Sequence, residues 1–311
     1  MDIETLCKKT TEIRRNIGTV IVGKDHETSL VLSALLSGGH ILLEDAPGTG
    51  KTMLAKTLAR CFDIGYKRIQ FTPDLLPTDM TGINFYNPKT GEFTFRRGGL
   101  FTNILLADEI NRATPRTQSG LLESMEEKQI SADGETYQLE APYFVIATQN
   151  PIETQGTFPL PEAQLDRFLM RISLGYPDTA SVIKRFIRSD PLGEVSPVCS
   201  KRELVEMQES VKSVKIHDDL ISYISALTEA TRAHEAAALG VSPRGALALA
   251  RASQSFAAIN ARDYVIPSDI KSLAESVFSH RLILRGANKS ERAGRVLKDI
   301  LSSTPVPTEV F

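Results

Sequence analysis

Glu44-Asp45-Ala46-Pro47-Gly48-Thr49-Gly50-Lys51-Thr52 lies between an apolar run, His40-Ile41-Leu42-Leu43, and a helical pattern over Lys51–Cys61. Strand, Gly-rich turn, Lys, hydroxyl and helix, in that order, form the layout of a phosphate-binding loop. Glycine adopts the torsions that let successive backbone N–H groups converge on one point without a Cβ clash. The positive end of the following helix strengthens that anion site. On this reading Lys51 reaches the β- and γ-phosphates of a nucleotide and the Thr52 hydroxyl ligates magnesium. Ala46, Pro47, Gly48, Thr49, Gly50 and Met53 complete the nucleotide-binding set. Asp45 stands where the strict pattern G-x-x-x-x-G-K-[ST] has its first glycine, so its carboxylate must point away from the phosphates. The competing reading is a Gly-rich turn before an ordinary helix.

A second segment bears on that choice. Asn103-Ile104-Leu105-Leu106-Ala107 is a short unbroken apolar run, as a buried parallel strand requires, and it ends in Asp108-Glu109. Acids at the carboxyl end of such a strand lie in the crevice where α/β sheets bind ligands. Asp108 can hold the magnesium, directly or through water, and Glu109 can orient or deprotonate the water that attacks the γ-phosphate. The pair alone is ordinary; downstream of a phosphate-binding loop it points to nucleotide hydrolysis.

Composition bounds the rest. A chain of 311 residues with 41% hydrophobic content is long enough for two domains with real cores. A formal net charge of -2 gives no global basic field for nucleic acid or anionic membrane. Cys7, Cys61 and Cys199 are far apart, odd in number and without metal-type spacing, and read as thiols in a reducing compartment. The histidines are scattered, with no ligand spacing. Met1-Asp2-Ile3-Glu4 lacks the features of a signal peptide, and no apolar stretch approaches the length of a membrane span, so the expected location is cytoplasmic.

The organisation divides near residue 190. Before it, apolar strands alternate with helical segments, which predicts a parallel sheet with helices on both faces. The strand candidates are His40–Glu44, Arg68–Phe71, Asn103–Ala107, Tyr143–Thr148 and Leu169–Leu174. After Ser189-Asp190-Pro191-Leu192-Gly193 the pattern is helical throughout, over Arg202–Val214, Asp218–His234, Pro243–Asn260 and Ser268–Phe278. The tail from Ser302 to Phe311, with two prolines, is expected to lack regular structure. Two hairpins are predicted. Gly82–Tyr86 and Glu92–Arg96 flank a turn-rich link, and Gln129–Ala132 and Thr136–Leu139 flank Asp133-Gly134-Glu135.

The phosphate-binding loop, Asp108-Glu109, a later Asn at a strand end, an Arg beyond it and a helical C-terminal region together resemble an AAA+ ATPase. Several stretches are similar, more narrowly, to the MoxR group: Ile69-Gln70-Phe71-Thr72-Pro73-Asp74-Leu75-Leu76-Pro77, Leu106-Ala107-Asp108-Glu109-Ile110-Asn111-Arg112-Ala113, Ala147-Thr148-Gln149-Asn150-Pro151, Leu165-Asp166-Arg167-Phe168 and Val241-Ser242-Pro243-Arg244-Gly245. The resemblance runs from about Val20 to His280. It implies an α/β P-loop AAA+ core over residues 1–190, with a parallel sheet flanked by helices and two inserted hairpins. A small all-α lid domain then occupies residues 191–311.

The resemblance also implies roles. Asn150 is the sensor 1 amide, which holds the attacking water without adding charge near Glu109; otherwise it is a turn residue before Pro151. Arg244 is the sensor 2 arginine, meeting the γ-phosphate from a helix start capped by Ser242, unless it is simply an exposed helix-start arginine. Arg167 is assigned as the finger supplied to a neighbouring subunit, with Arg171 as the alternative. Adenine rests against Val20-Ile21-Val22-Gly23, so Val22 and Gly23 join the binding set, or else that segment is core packing. The hairpins resemble the helix-2 insert and pre-sensor 1 hairpin of one AAA+ branch, where exposed hairpins near a ring's axis can push on a client; otherwise they are decorative surface hairpins.

These expectations describe an oligomeric ATPase, a ring of six by the habit of related ATPases, using ATP and Mg2+ to remodel or mature a protein client, often with a von Willebrand factor A-like partner. A nucleic-acid motor of the same branch and a nucleotide-gated scaffold that barely hydrolyses are the alternatives. The mildly acidic balance and the lack of a nucleic-acid-binding module weigh against the first, and the intact Asp108-Glu109 pair against the second.

Overall fold

The computed structural model describes residues 1–151, 156–187, 189–286 and 289–307. Two helices, α1 (Ile3–Val20) and α2 (Asp25–Leu36), lead into β1 (Ile41–Glu44), α3 (Lys51–Cys61) and β2 (Tyr66–Gln70). A short α4 (Pro77–Thr81) opens the hairpin β3 (Gly82–Asn87) and β4 (Glu92–Arg97), followed by β5 (Ile104–Asp108) and α5 (Pro115–Glu127). The second hairpin, β6 (Gln129–Ala132) and β7 (Glu135–Gln138), precedes β8 (Phe144–Gln149), α6 (Glu162–Leu165), β9 (Met170–Ile172) and α7 (Thr179–Phe186). The C-terminal region contains α8 (Lys201–Val211), α9 (Asp218–Ala233), β10 (Ala237–Leu239), α10 (Pro243–Ile259), α11 (Pro267–Phe278), β11 (Ile283–Leu284) and α12 (Lys289–Ser303).

β1, β2, β5, β8 and β9 form one parallel sheet in the order β2-β5-β8-β1-β9. Successive strand residues face opposite sides, so the sheet feeds two cores. Leu42, Leu105, Ala107, Val145 and Ala147 pack with Leu121, Leu122 and Met125 of α5 on one side. Ile41, Leu43, Ile104, Leu106, Phe144 and Ile146 pack on the other side with α1, α2 and α3. That second core continues without a break into the C-terminal helices, where α10 lies on α1 and α2. Both faces are therefore covered, as a parallel sheet demands.

Each predicted strand lies within three residues of its observed bounds, and the helix Lys51–Cys61 is reproduced. Pro243 and Pro267 open α10 and α11, where a missing N–H costs nothing. The C-terminal region is not helical throughout: β10 and β11 pair antiparallel, Ala237 opposite Leu284. Segments of three and two residues are too short for an alternation to register. α12 runs to Ser303, so the irregular tail starts at Thr304 with Pro305 and Pro307 behind it; the remainder of that expectation, residues 308–311, lies outside the described residues. Among the described residues no helix is long and apolar enough to cross a membrane.

The second hairpin is fastened along its length to the lower half of the first. Phe95 of β4 stacks on Tyr137 of β7 with centroids 4.1 Å apart and planes 7° from parallel, and Phe101 meets both rings edge-on. The Asn84 N–H donates to Asp133 Oδ2 at 3.2 Å. Ile83, Phe85, Tyr86 and Phe93 remain exposed along the first hairpin.

His40, one residue before β1, ties three elements together. Val145 N–H donates to its Nδ1 at 3.0 Å, so Nε2 carries the proton and donates to the Met125 carbonyl at 3.0 Å. Burial, with Lys128 adding a smaller push, lowers its pKa to about 4, against a partial offset from the Met125 bond. The unfolded chain therefore binds more protons than the folded one between about pH 6.5 and 4, and stability falls as pH falls through that window. This residue alone should cost about 2 kcal/mol between pH 7.5 and pH 5. Urea titrations of the wild type and His40→Gln at both pH values should show a smaller pH-dependent loss in the variant; equal losses would refute the assignment.

Candidate active site

The carboxyl ends of β1, β5 and β8 converge on one cleft, as open α/β sheets place their ligands. Gly48 and Gly50 take φ values of +86° and +92°, which L side chains disfavour, and α3 starts at Lys51 directly after them. The loop's N–H groups and the first turn of α3 thus sit at one concavity of about 430 Å³, running from Pro47 to Met53. The Lys51 ammonium donates to the carbonyls of Asp45 at 2.8 Å and Ala46 at 3.2 Å. Asp45 turns away from the concavity, as the sequence required. Its buried carboxylate accepts from Ser173 Oγ at 2.8 Å, Leu174 N–H at 2.8 Å and Gly175 N–H at 2.9 Å, all beyond β9.

Asp108, Glu109 and Asn150 face the loop across the cleft. Thr148 of β8 sits between the acids: its hydroxyl donates to Asp108 Oδ1 at 2.6 Å and accepts from the Glu109 N–H at 2.9 Å. Glu109 itself has φ +59°, a left-handed conformation that costs a non-glycine residue about 1–3 kcal/mol. The strand therefore ends abruptly, and the Glu109 side chain leaves the sheet in a different direction from that of Asp108.

Sequence reasoning missed the partners of these acids. Arg68 of β2 donates to Asp108 Oδ2 from Nε at 3.0 Å and Nη2 at 2.6 Å, and lines the cleft. Gln70, on the same face two residues on, accepts from Arg68 and donates to Glu109 Oε2 at 2.6 Å. Arg112 meets the same oxygen at 3.0 Å. Polar residues at period two on the strand beside β5 were the available signal.

Arg167 and Arg244 lie elsewhere. They converge on one carboxylate of α5, with Arg167 Nε at 3.2 Å from Glu126 Oε2 and Arg244 Nη1 at 3.0 Å from Glu126 Oε1. The lining of the cleft includes neither. The sensor 2 expectation, Arg244 at a γ-phosphate, is thus not met within this chain's own cleft. Arg171 forms an ion pair with Glu44 at 3.2 Å, and Gln149 donates to the same carboxylate at 2.7 Å, so it is a partner between β9 and β1. The lining of the cleft includes neither Val22 nor Gly23. The neighbouring Ile21 reaches within 3.4 Å of where a Cβ on Gly50 would stand.

Residues 40–170 match the profile of the ATPase family associated with various cellular activities (AAA), and residues 229–300 match the AAA lid domain. The chain is 40% identical to the chaperone MoxR1 of Mycobacterium tuberculosis, over 91% of this chain and 77% of that protein. It is 47% identical to the uncharacterised protein YeaC of Bacillus subtilis, over 99% and 97% of the two chains. A crystal structure from Cytophaga hutchinsonii, solved as that of a candidate ATPase, superposes with a TM-score of 0.90 at 38% identity, covering 98% of this chain and 97% of that one. With a nucleotide-binding core of this geometry and relatives of this likeness, the chain belongs to the MoxR family of AAA+ ATPases.

Proposed function

We propose that this protein hydrolyses ATP with Mg2+ as an oligomer, coupling turnover to the remodelling of a protein client. The observation that carries the reading is the phosphate-binding loop facing Asp108, Glu109 and Asn150 across one cleft. Lys51 exchanges its two backbone carbonyls for phosphate oxygens, a move of one flexible side chain. The Thr52 hydroxyl and the Asp108 carboxylate offer the oxygen donors that a small hard cation takes, with phosphates and water left to complete its shell, so the residues present fit magnesium. Magnesium bound there neutralises charge on the transferring phosphoryl group. Asp108 then exchanges the Arg68 guanidinium for another positive partner. Glu109 orients or deprotonates the attacking water once it leaves Gln70 and Arg112, and the neutral Asn150 amide holds that water from the other side.

Arg167 and Arg244 share Glu126 away from this cleft, which supports their serving the nucleotide of a neighbouring subunit together. An arginine supplied in trans makes hydrolysis depend on assembly. A closed ring, six by the habit of related ATPases, satisfies every such interface. The exposed apolar residues of the first hairpin suit contact with a protein client, and a von Willebrand factor A-like partner fits the same scheme. Arg97 of that hairpin lies over the Phe101 ring, 5.1 Å from its centroid, and is thereby drawn into the hairpin root. Val22 and Gly23 complete the adenine side of the site. The protein acts in the cytoplasm on this reading.

Lys51→Ala should abolish nucleotide binding, since the loop loses its mobile cation; tight ATP binding in calorimetry would refute the site. Glu109→Gln should bind ATP with Mg2+ yet hydrolyse it about 10²–10⁴-fold more slowly, the usual worth of a general base. Wild-type turnover in that variant would move the catalytic role elsewhere. Arg167→Ala should keep ATP affinity and lose about 10³-fold or more in turnover. Mixing Arg167→Ala with Glu109→Gln should restore part of the activity, because some interfaces then pair an intact Glu109 with an intact Arg167. If mixing restores nothing and activity per subunit is flat on dilution, Arg167 is structural.

A further inference from the structure

Arg281 follows α11 in the C-terminal region, is 7% exposed, and sends its guanidinium into the segment that carries Arg167. Nε donates to Asp166 Oδ1 at 2.6 Å, Nη2 to the carbonyls of Asp166 at 3.1 Å and Phe168 at 2.6 Å, and Nη1 to the carbonyls of Leu169 at 3.1 Å and Val277. All five guanidinium N–H donors are thus placed on acceptors, four of them on the turn between α6 and β9. The carbonyls on both sides of Arg167 are held, while its own side chain leaves toward Glu126.

The same clamp reaches Arg244. The second Asp166 oxygen accepts from Ser242 Oγ at 3.2 Å, and Ser242 caps α10 two residues before Arg244. The first turn of α10 also packs on the stem of Arg281: a Cβ on Gly245 would stand 2.8 Å from Arg281 Cδ. A buried ion pair of this kind is weak as a source of stability, because desolvating both charges offsets their attraction. What it supplies is geometry, and a planar fork with five donors specifies geometry where a lysine, a point charge on a flexible stem, does not.

We propose that Arg281 and Asp166 are positioning residues for hydrolysis, a strut through which α10 and α11 set the place of Arg167 and Arg244 as a pair. The inference rests on the reading that those two arginines act at a neighbour's nucleotide. It adds that neither is placed by the α/β core alone: their positions follow the C-terminal helices. A displacement of those helices is then transmitted to both arginines at once.

Arg281→Lys is the principal test, because it keeps the charge and removes the fork. Folded protein, checked by thermal melting, should bind ATP within about twofold of wild type in calorimetry and lose at least 10-fold in turnover. Added to a variant that already lacks both arginines, Arg167→Ala with Arg244→Ala, it should give no further loss, since the strut acts through those two side chains. Mixed with Glu109→Gln it should regain activity, as an Arg167→Ala subunit does, because its own cleft is intact. Wild-type turnover, loss of ATP affinity, or a loss that multiplies on top of the removal of both arginines would overturn the strut. If Arg281→Lys does not fold, Asp166→Asn, which keeps the shape and removes the charge, is read by the same outcomes. Should the Arg167→Ala and Glu109→Gln control mixture itself fail to recover, the neighbour reading falls, and the variant lacking both arginines still judges the strut: a further loss from Arg281→Lys refutes it and no further loss upholds it.

Discussion

A buried carboxylate must be surrounded by donors, and Asp45 meets that demand with Ser173, Leu174 and Gly175. The consequence is mechanical as well as electrostatic. The chain leaving β1 and the chain leaving β9, adjacent in the sheet, are bound to each other just beyond their ends. The phosphate-binding loop therefore begins from a fixed point, and its glycines bend from there to present N–H groups to the cleft. A residue that departs from the usual motif is what anchors the motif.

The same logic of matched charges runs through the rest of the site. Edge strand β2 supplies Arg68 and Gln70 to the two acids at the end of the neighbouring strand β5, so neither acid faces the cleft without a partner. On a separate surface, Glu126 gathers Arg167 and Arg244. Every charged group expected to meet a nucleotide is thus held by a protein group of opposite sign or by a backbone dipole. Binding is an exchange of partners, and the difference in energy between the two sets is smaller than either alone.

Much of this was legible in the sequence where local chemistry dictates local structure. The Gly-Lys-Thr step marked the start of α3 at Lys51, Pro243 after Ser242 marked α10, and Asp133-Gly134 marked the second hairpin. Strand ends were blurred by one or two residues because apolar runs continue past the last paired residue, as Phe71 does beyond β2. What stayed hidden depends on contacts between distant positions. Arg281 lies 115 residues from Asp166, and nothing near either one announces the pairing. Arg171 and Arg167 look alike in sequence; register beside β1 gives Arg171 to Glu44 and leaves Arg167 on the surface. Helices α1 and α2 went unread because their apolar faces make sense only once the sheet and α10 lie against them.

The stacked rings between the hairpins make one lever out of two. β3 and β4 are six residues each, an arm of about 20 Å from root to tip. At the fixed end the backbone leaves no slack: a Cβ on Gly98 would stand 2.2 Å from the Met80 carbonyl oxygen, and Lys67 of β2 donates to the Gly98 carbonyl at 3.1 Å. A rotation of about 10° at such a root carries a tip of this length through about 3 Å, roughly the rise of one residue in an extended chain. The pivot lies against β2, the strand whose Arg68 and Gln70 hold Asp108 and Glu109, so the root of the arm and the partners of the two acids share one strand.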